Sequence, residues 1–141
     1  MRLLVFHVDS FKCSVTKKGR SKVVETPHSK TTEVEDALLV FTSVEKQDET
    51  NPEEVARRAV EELVRISHQL KVTPIVLHPF AHLFGVLSQP EIAVRVLKLT
   101  EAELHKRGFD VRRTPFGWFN TLELKAKSHP LSRIARRITA N

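Results

Sequence analysis

The chain predicts an α/β fold with two helices on one side of a sheet, and three observations predict it. Short apolar runs of strand length stand at 2–9, 37–46 and 73–79. The second and third are each followed by an amphipathic stretch of helical period. After residue 108 the pattern returns to strands. At 141 residues, residues 1–141 suit one domain around one hydrophobic core, with no internal repeat.

"RLLVFHVD" (2–9) reads as a buried strand, and after Ser10 "FKCSVT" (11–16) alternates apolar and polar. With "KKGR" as a turn and "KVVE" (22–25) behind it, this region predicts two or three antiparallel strands, and "PHSKTTEVED" (27–36) a loop. "ALLVFTSVEK" (37–46) opens as a strand buried on both faces. "NPEEVARRAVEELVRISHQL" (51–70) is a helix: Asn51 can cap it, Pro52 fits the first turn, and Glu54 completes a capping-box pattern. Val55, Ala56, Ala59, Leu63, Ile66 and Leu70 fall on one stripe. "TPIVLHP" (73–79) is the next strand, and "SQPE" (88–91) opens a second helix with Ser88 and Glu91 in capping-box spacing and Gly108 to close it. "FDVRRTPFG", "WFNTLEL" and "KAKSHP" supply further strands, and "LSRIARRITAN" (131–141) predicts a basic helix cut off at Asn141, as in a piece of a longer polypeptide.

No apolar run approaches membrane-spanning length, and "MRLLVFHVDSF" carries acid and histidine too early for a secretory signal. The single cysteine, Cys13, excludes an internal disulfide and an all-cysteine zinc site, so a reducing cytoplasm is the natural setting. A net charge of +6 points to an anionic partner. The charge is uneven: eight carboxylates lie between Glu33 and Glu54, whereas Lys125, Lys127, Arg133, Arg136 and Arg137 follow the last one, Glu123.

"VLHPFAHLFG" (76–85) sets His78 and His82 at the spacing of a helical metal pair. His78 directly precedes Pro79, however, and a residue before proline is pushed out of the α region, so the two imidazoles do not share a helix face. No third ligand is spaced nearby, and the reading calls for no metal and no cofactor. A strand ending at His78, followed by a turn whose backbone faces a cleft, fits better. Ligands favour the carboxyl ends of strands in open α/β sheets. "SVEK" (43–46), "HPFAHL" (78–83) and "TPFGWFN" (114–120) each bring polar or glycine-containing chain to such an end.

These segments carry a family resemblance. "VFTSVEK", "NPEEV", "PFAHL", "RGFDVRRTPFG" and "HPL" (129–131) occur in the order found in the N-terminal editing domain of archaeal threonyl-tRNA synthetases, which is related to the D-aminoacyl-tRNA deacylases. The resemblance covers nearly the whole chain. It implies a three-layer α/β/β D-aminoacyl-tRNA deacylase-like fold, β(2–3)-(βα)2-β(2–3), and a homodimer that is one part of a longer synthetase. The implied reaction is hydrolysis of serine mistakenly esterified to the 3′ end of tRNA(Thr).

By the same resemblance, Val44 and Ala81 offer main-chain groups to the seryl moiety, His82 borders it, and Phe116 and Gly117 shape the adenosine side. Glu45, Pro79, Phe80, Trp118, Phe119 and Arg133 complete the expected pocket. The chain departs from the family pattern where an aromatic pair and lysine often follow "PFG": here stand Phe119 and Asn120. Where glutamate often follows "HPL", the chain has Arg133. Neither position supplies a general base, so either the chain is inactive or those side chains are not the catalysts. The resemblance implies the second, with the ribose 2′-OH of the substrate helping to activate the water and Asn120 orienting substrate or filling space. His82 is either chemical or a histidine holding its turn. The rival reading is a non-catalytic RNA- or partner-binding module using the arginines and an exposed Trp118; a metal hydrolase stands third.

Overall fold

The computed structural model describes residues 1–83 and 85–141. Its elements are β1 (Arg2–Lys18), β2 (Thr31–Ser43), α1 (Pro52–Leu70), β3 (Pro74–Pro79), α2 (Pro90–Lys106), β4 (Asp110–Arg113), β5 (Trp118–Ala126) and β6 (Arg133–Arg137), with a 3-10 turn at Lys46–Thr50. Among these residues one sheet forms in the order β4-β3-β2-β1, and β1 pairs β6 through its first half and β5 through its second. β2, β3 and β4 are parallel; β1 is antiparallel to β2, β5 and β6.

Both helices cover one face. Asn51 caps α1 by accepting the Glu54 N–H at 3.2 Å, a bond of about 1 kcal/mol. The Glu54 carboxylate turns to Arg57 and Arg58, so only half of the expected capping box forms. Val55, Ala56, Ala59, Leu63 and Ile66 are buried against Leu3, Val5, Leu38, Val40, Ile75 and Leu77, and Leu70 packs at the margin. Each such aliphatic side chain removed from water stabilises by about 1.5–3 kcal/mol before entropy is charged against it. α2 begins at Pro90 without a side-chain cap: Ser88 Oγ donates to the Gln89 carbonyl, so no Ser88–Glu91 box forms. Gly108, at φ 92°, closes that helix with its N–H on the His105 carbonyl.

The opposite face is covered by the sheet itself. In β1, Leu4, Phe6 and Val8 face the same apolar cluster as Phe11 and Cys13, so the alternation of side chains resets between Val8 and Phe11. In β2 the reset lies between Ala37 and Val34. The ladder is interrupted between Val8↔Ala37 and Ser10↔Glu35, and β5 shifts register at the same level. There the three strands bend together, and Phe11, Cys13, Val34 and Leu122 pack back over Leu39, Phe41 and Val76. The result is three layers: helices, the central sheet, and the folded-back ribbon of β5 with the far halves of β1 and β2.

Polar groups hold the corner. Asp36 adopts φ 44°, a left-handed conformation that aspartate tolerates better than most residues. Its carboxylate accepts from His7 Nε2 at 3.0 Å and lies 3.5 Å from Lys127 Nζ, which also meets Asp9 at 2.6 Å. The Leu131 N–H donates to His129 Nδ1, which makes His129 Nε2 the donor to His7 Nδ1 at 2.9 Å. The polarity therefore runs from Leu131 through both imidazoles to Asp36.

Several sequence expectations are corrected. The first region is one continuous strand rather than two, and 22–25 is not a strand, because its backbone pairs instead with the 116–117 turn: Glu25 N–H donates to the Phe116 carbonyl. The stretch 27–36 is strand from Thr31 onward, its polar residues lying on the folded-back ribbon. The strand expected at 37–46 ends at Ser43. The expected basic helix at 131–141 is instead β6, with Ile134 opposite Val5. Ile134 and Ile138 have helical spacing, but the open edge of β1 offers more backbone hydrogen bonds than a lone terminal turn.

Asp36→Ala should lower stability by about 1–2 kcal/mol in urea unfolding, since it loses the His7 bond and tolerates the left-handed backbone less well, while Asp36→Asn should cost clearly less.

Candidate functional site

A cleft of about 550 Å³ opens where β2, β3 and β4 end. All three strand-end segments contribute: Val44; Pro79, Phe80, Ala81 and His82; and Phe116, Gly117, Trp118, Phe119 and Asn120. The bend brings the far side across, so Gly19, Arg20, Ser21 and Leu122 complete the wall.

Local hydrogen bonding aims the main chain inward. The last rung between β2 and β3 is Phe80 N–H to the Thr42 carbonyl at 2.9 Å. Beyond it the Val44 carbonyl is taken by the Ser88 N–H at 3.1 Å, whereas the N–H groups of Val44 and Ala81 have no acceptor among the described residues. Ser43 Oγ is likewise buried without a partner among the described residues. Donors left over at the ends of two parallel strands are the elements of an anion or carbonyl-oxygen cradle.

The wall formed by residues 116–120 is tied down by Glu25. Its carboxylate takes the Phe116 N–H at 3.0 Å and both arms of Arg113, and its carbonyl takes Trp118 Nε1–H at 2.7 Å. Burial pushes this carboxyl up, but Arg113 and the Phe116 N–H outweigh it and hold the group below the ordinary glutamate range. Trp118 is therefore a bonded, half-buried wall rather than the exposed ring expected. Gly117, at φ 90°, brings its backbone so close to Val23 that a Cβ would collide with the Val23 carbonyl.

The two histidines part company. His78 is buried in β3, its Nδ1 is 2.7 Å from Thr114 Oγ1, and its ring meets the edges of Phe11 and Phe41. Burial lowers its pKa from 6.5 to about 4, so it is a neutral wall at physiological pH. His82 is exposed, lies edge-on to Phe80, and makes no side-chain hydrogen bond among the described residues; a turn-holding role finds no support in its contacts. Asn120 makes one long contact, 3.4 Å from Nδ2 to the Trp118 carbonyl. Among the described residues no group of three or more His, Cys, Asp or Glu side chains is placed to hold a metal ion.

Two expected pocket residues lie elsewhere. Glu45 is buried beside the cleft, between Arg2 Nε at 3.1 Å and the Met1 ammonium at 3.4 Å, under Gly85, where a Cβ would overlap its carboxylate. The sequence pattern did not show that the ammonium would draw it inward; Asp48 binds the same ammonium at 2.7 Å. Arg133 stands on β6 opposite Phe6, outside the cleft wall. Conversely, Gly19, Arg20 and Ser21 line the cleft without having been assigned to it, and Ser43 and His78, from the expected strand-end segments, line it although neither was named as a site residue. No local signal marks the first three, because only the bend brings them there.

A family model described as the Archaea-specific editing domain of threonyl-tRNA synthetase matches residues 1–138. The chain belongs to that family. It is 44% identical over 140 residues to the threonine–tRNA ligase of Methanopyrus kandleri, covering 99% of this chain and 22% of the relative. It is 41% identical over 140 residues to that of Methanocaldococcus jannaschii, with the same shares covered. The chain thus spans about a fifth of the length of these relatives. Among solved structures, the c-Myc DNA Unwinding Element Binding Protein matches with a TM-score of 0.59 at 12% identity, covering 97% of this chain and 98% of that one. That likeness concerns the fold, which is the D-aminoacyl-tRNA deacylase-like fold expected.

His78 stays neutral in the folded chain but takes up a proton below pH 6.5 once unfolded, so stability should be whole above pH 6.5 and fall as pH drops toward 4. The shift corresponds to roughly 3 kcal/mol. Urea unfolding of wild type and His78→Gln across this range should show a clearly shallower decline in the variant.

Proposed function

We propose that the chain hydrolyses the ester of serine on the 3′-terminal adenosine of tRNA(Thr) and spares the threonyl ester, acting in the cytoplasm alongside the rest of a threonyl-tRNA synthetase and as a homodimer. One observation carries the chemical part: a cleft with unused backbone N–H groups at Val44 and Ala81, and no carboxylate or lysine in its wall among the described residues. Membership in an editing-domain family supports the substrate class, and the family resemblance supports the paired state.

In this reading Val44 and Ala81 hold the seryl moiety and the ester oxygen, while Phe116, Gly117, Trp118 and Phe119 receive the adenosine. A water oxygen adds to the ester carbonyl carbon, and negative charge collects on the carbonyl oxygen, where backbone donors count most. The bond from that carbon to the 3′ oxygen then breaks; the water's proton ends on the 3′ oxygen, releasing serine. His78 is neutral and bonded to Thr114, and Asn120 is a poor base at any pH. Of the groups that remain, exposed His82 and the substrate's own 2′-OH, the 2′-OH lies beside the ester on the same ribose and positions the water. One additional methyl in an accommodating pocket is discriminated by only about 1–3 kcal/mol, so rejection of threonine needs a wall that does not yield. Pro79 at the end of β3, beside the Phe80–Thr42 rung, is such a wall. The competing reading, an RNA-binding module without catalysis, is favoured by no observation in the cleft that hydrolysis leaves unexplained.

Ser-tRNA(Thr) should be deacylated and Thr-tRNA(Thr) spared by the isolated chain, with or without chelator; equal hydrolysis of both, or of neither, would refute the reading. In single-turnover assays at saturating enzyme, a terminal 2′-deoxyadenosine should nearly abolish turnover while binding falls far less. Asn120→Ala should change the rate only modestly. A loss of about a thousandfold in that variant, equivalent to roughly 4 kcal/mol, would return the chemistry to the side chain.

A further inference from the structure

About half of the lysines and arginines of this chain are in ion pairs among the described residues. Arg57, Arg58, Arg65, Arg95, Arg107, Arg113 and Arg136 pair with glutamates, and Lys127 pairs with Asp9 and Asp36. The C-terminal basic stretch is thereby partly spent on the fold. The turn after β1 is different. Lys17, Lys18, Arg20 and Lys22 are all exposed and form no ion pair among the described residues. Arg20 lines the cleft, and Lys17 lies 5.6 Å over the ring of Phe119, which is 53% exposed.

The turn is also fixed in place. The Gly19 N–H donates to the Gly117 carbonyl at 2.7 Å, and a Cβ on Gly19 would press on that same oxygen at 2.9 Å. Behind the turn, the Glu25 N–H donates to the Phe116 carbonyl and the Glu25 side chain grips Arg113 and Phe116. A turn carrying four exposed cations, two of them (Lys17 and Arg20) at the wall itself, is thus held beside a cleft that contains no carboxylate among the described residues.

We propose that the Lys17–Lys22 turn is a phosphate-binding rim for the single-stranded 3′ end of an RNA whose terminal nucleoside enters the cleft. The proposal rests on the adenosine-binding reading of that cleft and adds the residues that meet the preceding phosphates. A basic track beside an exposed aromatic ring is the arrangement that holds single strands: the cations follow the backbone and the ring takes a base.

The test is equilibrium binding of a short RNA hairpin ending in single-stranded CCA, measured at several salt concentrations, against the same hairpin made blunt. Wild type should bind the overhanging RNA more tightly. Replacing Lys17, Lys18, Arg20 and Lys22 together by alanine should reduce the slope of log Kd against log salt by about 0.7 for each phosphate that loses its cation, hence by about 3 if all four engage. Lys18→Glu alone should give a smaller loss in the same direction. An unchanged slope, or an equal loss on the blunt hairpin, would overturn the proposal. Hydrolysis of seryl-adenosine, which has no phosphate, separates this outcome from the cleft reading: a Lys18→Ala, Lys22→Ala double variant, which leaves the cleft wall intact, should hydrolyse it at the wild-type rate. If wild type leaves both seryl esters intact while the slope changes as expected, the rim stands and the hydrolytic reading falls.

Discussion

Everything about the cleft depends on the strands bending at one level. Without the break in alternation around Asp9 and Asp36, the ends of β1 and β5 would point away from the ends of β2, β3 and β4, and the apolar face formed by Leu39, Phe41 and Val76 would meet solvent. Bending turns a flat sheet into its own lid. The cost is a left-handed aspartate and a group of charged side chains at the corner; the return is a second apolar layer, from Phe11 to Leu122. Bulges and kinks of this kind re-aim chain ends in many sheets, and here the re-aimed end is the wall of the site.

The architecture favours backbone over side chain as the functional material. Parallel strands stop at Ser43, Pro79 and Arg113, and where pairing stops, N–H groups are left over. Pro79 and the Phe80–Thr42 rung make that terminus stiff, and the Glu25–Arg113 pair does the same for the opposite wall. Asn120 lines the cleft with a single long contact and Arg133 stands outside its wall, so neither departure from the family pattern keeps the cleft from forming.

Local order in the sequence was readable wherever local physics decides. The α1 stripe, its Asn51 cap and the strand–helix alternation follow from periodicity and capping, and the three strand ends that meet in the cleft follow from where apolar runs stop. Long-range pairing was not readable. Ile134 and Ile138 have a helical spacing that the vacant edge of β1 overrides, and Thr31–Asp36 looks like a loop because its strand lies in the polar outer layer. Glu45 was expected in the pocket because it follows Val44; a buried ammonium pulls it the other way. Net charge was equally opaque, since it does not show which cations pair on α1 and at the corner and which, such as those of the β1 turn, stay exposed and unpaired among the described residues.

Cys13 lies between the central sheet and the folded-back ribbon, 2% exposed, and burial pushes its thiol up to about 11. It is the only thiol in the chain, so a soluble alkylating reagent finds a single target, and only when the outer layer lifts. The rate of that labelling is a clock for opening of the ribbon. Local openings near the cleft rim that leave the layer seated stay silent, whereas any motion that peels β5 from its underlying sheet is recorded covalently. The molecule therefore carries a built-in reporter that distinguishes breathing at the site from loss of the layer that creates it.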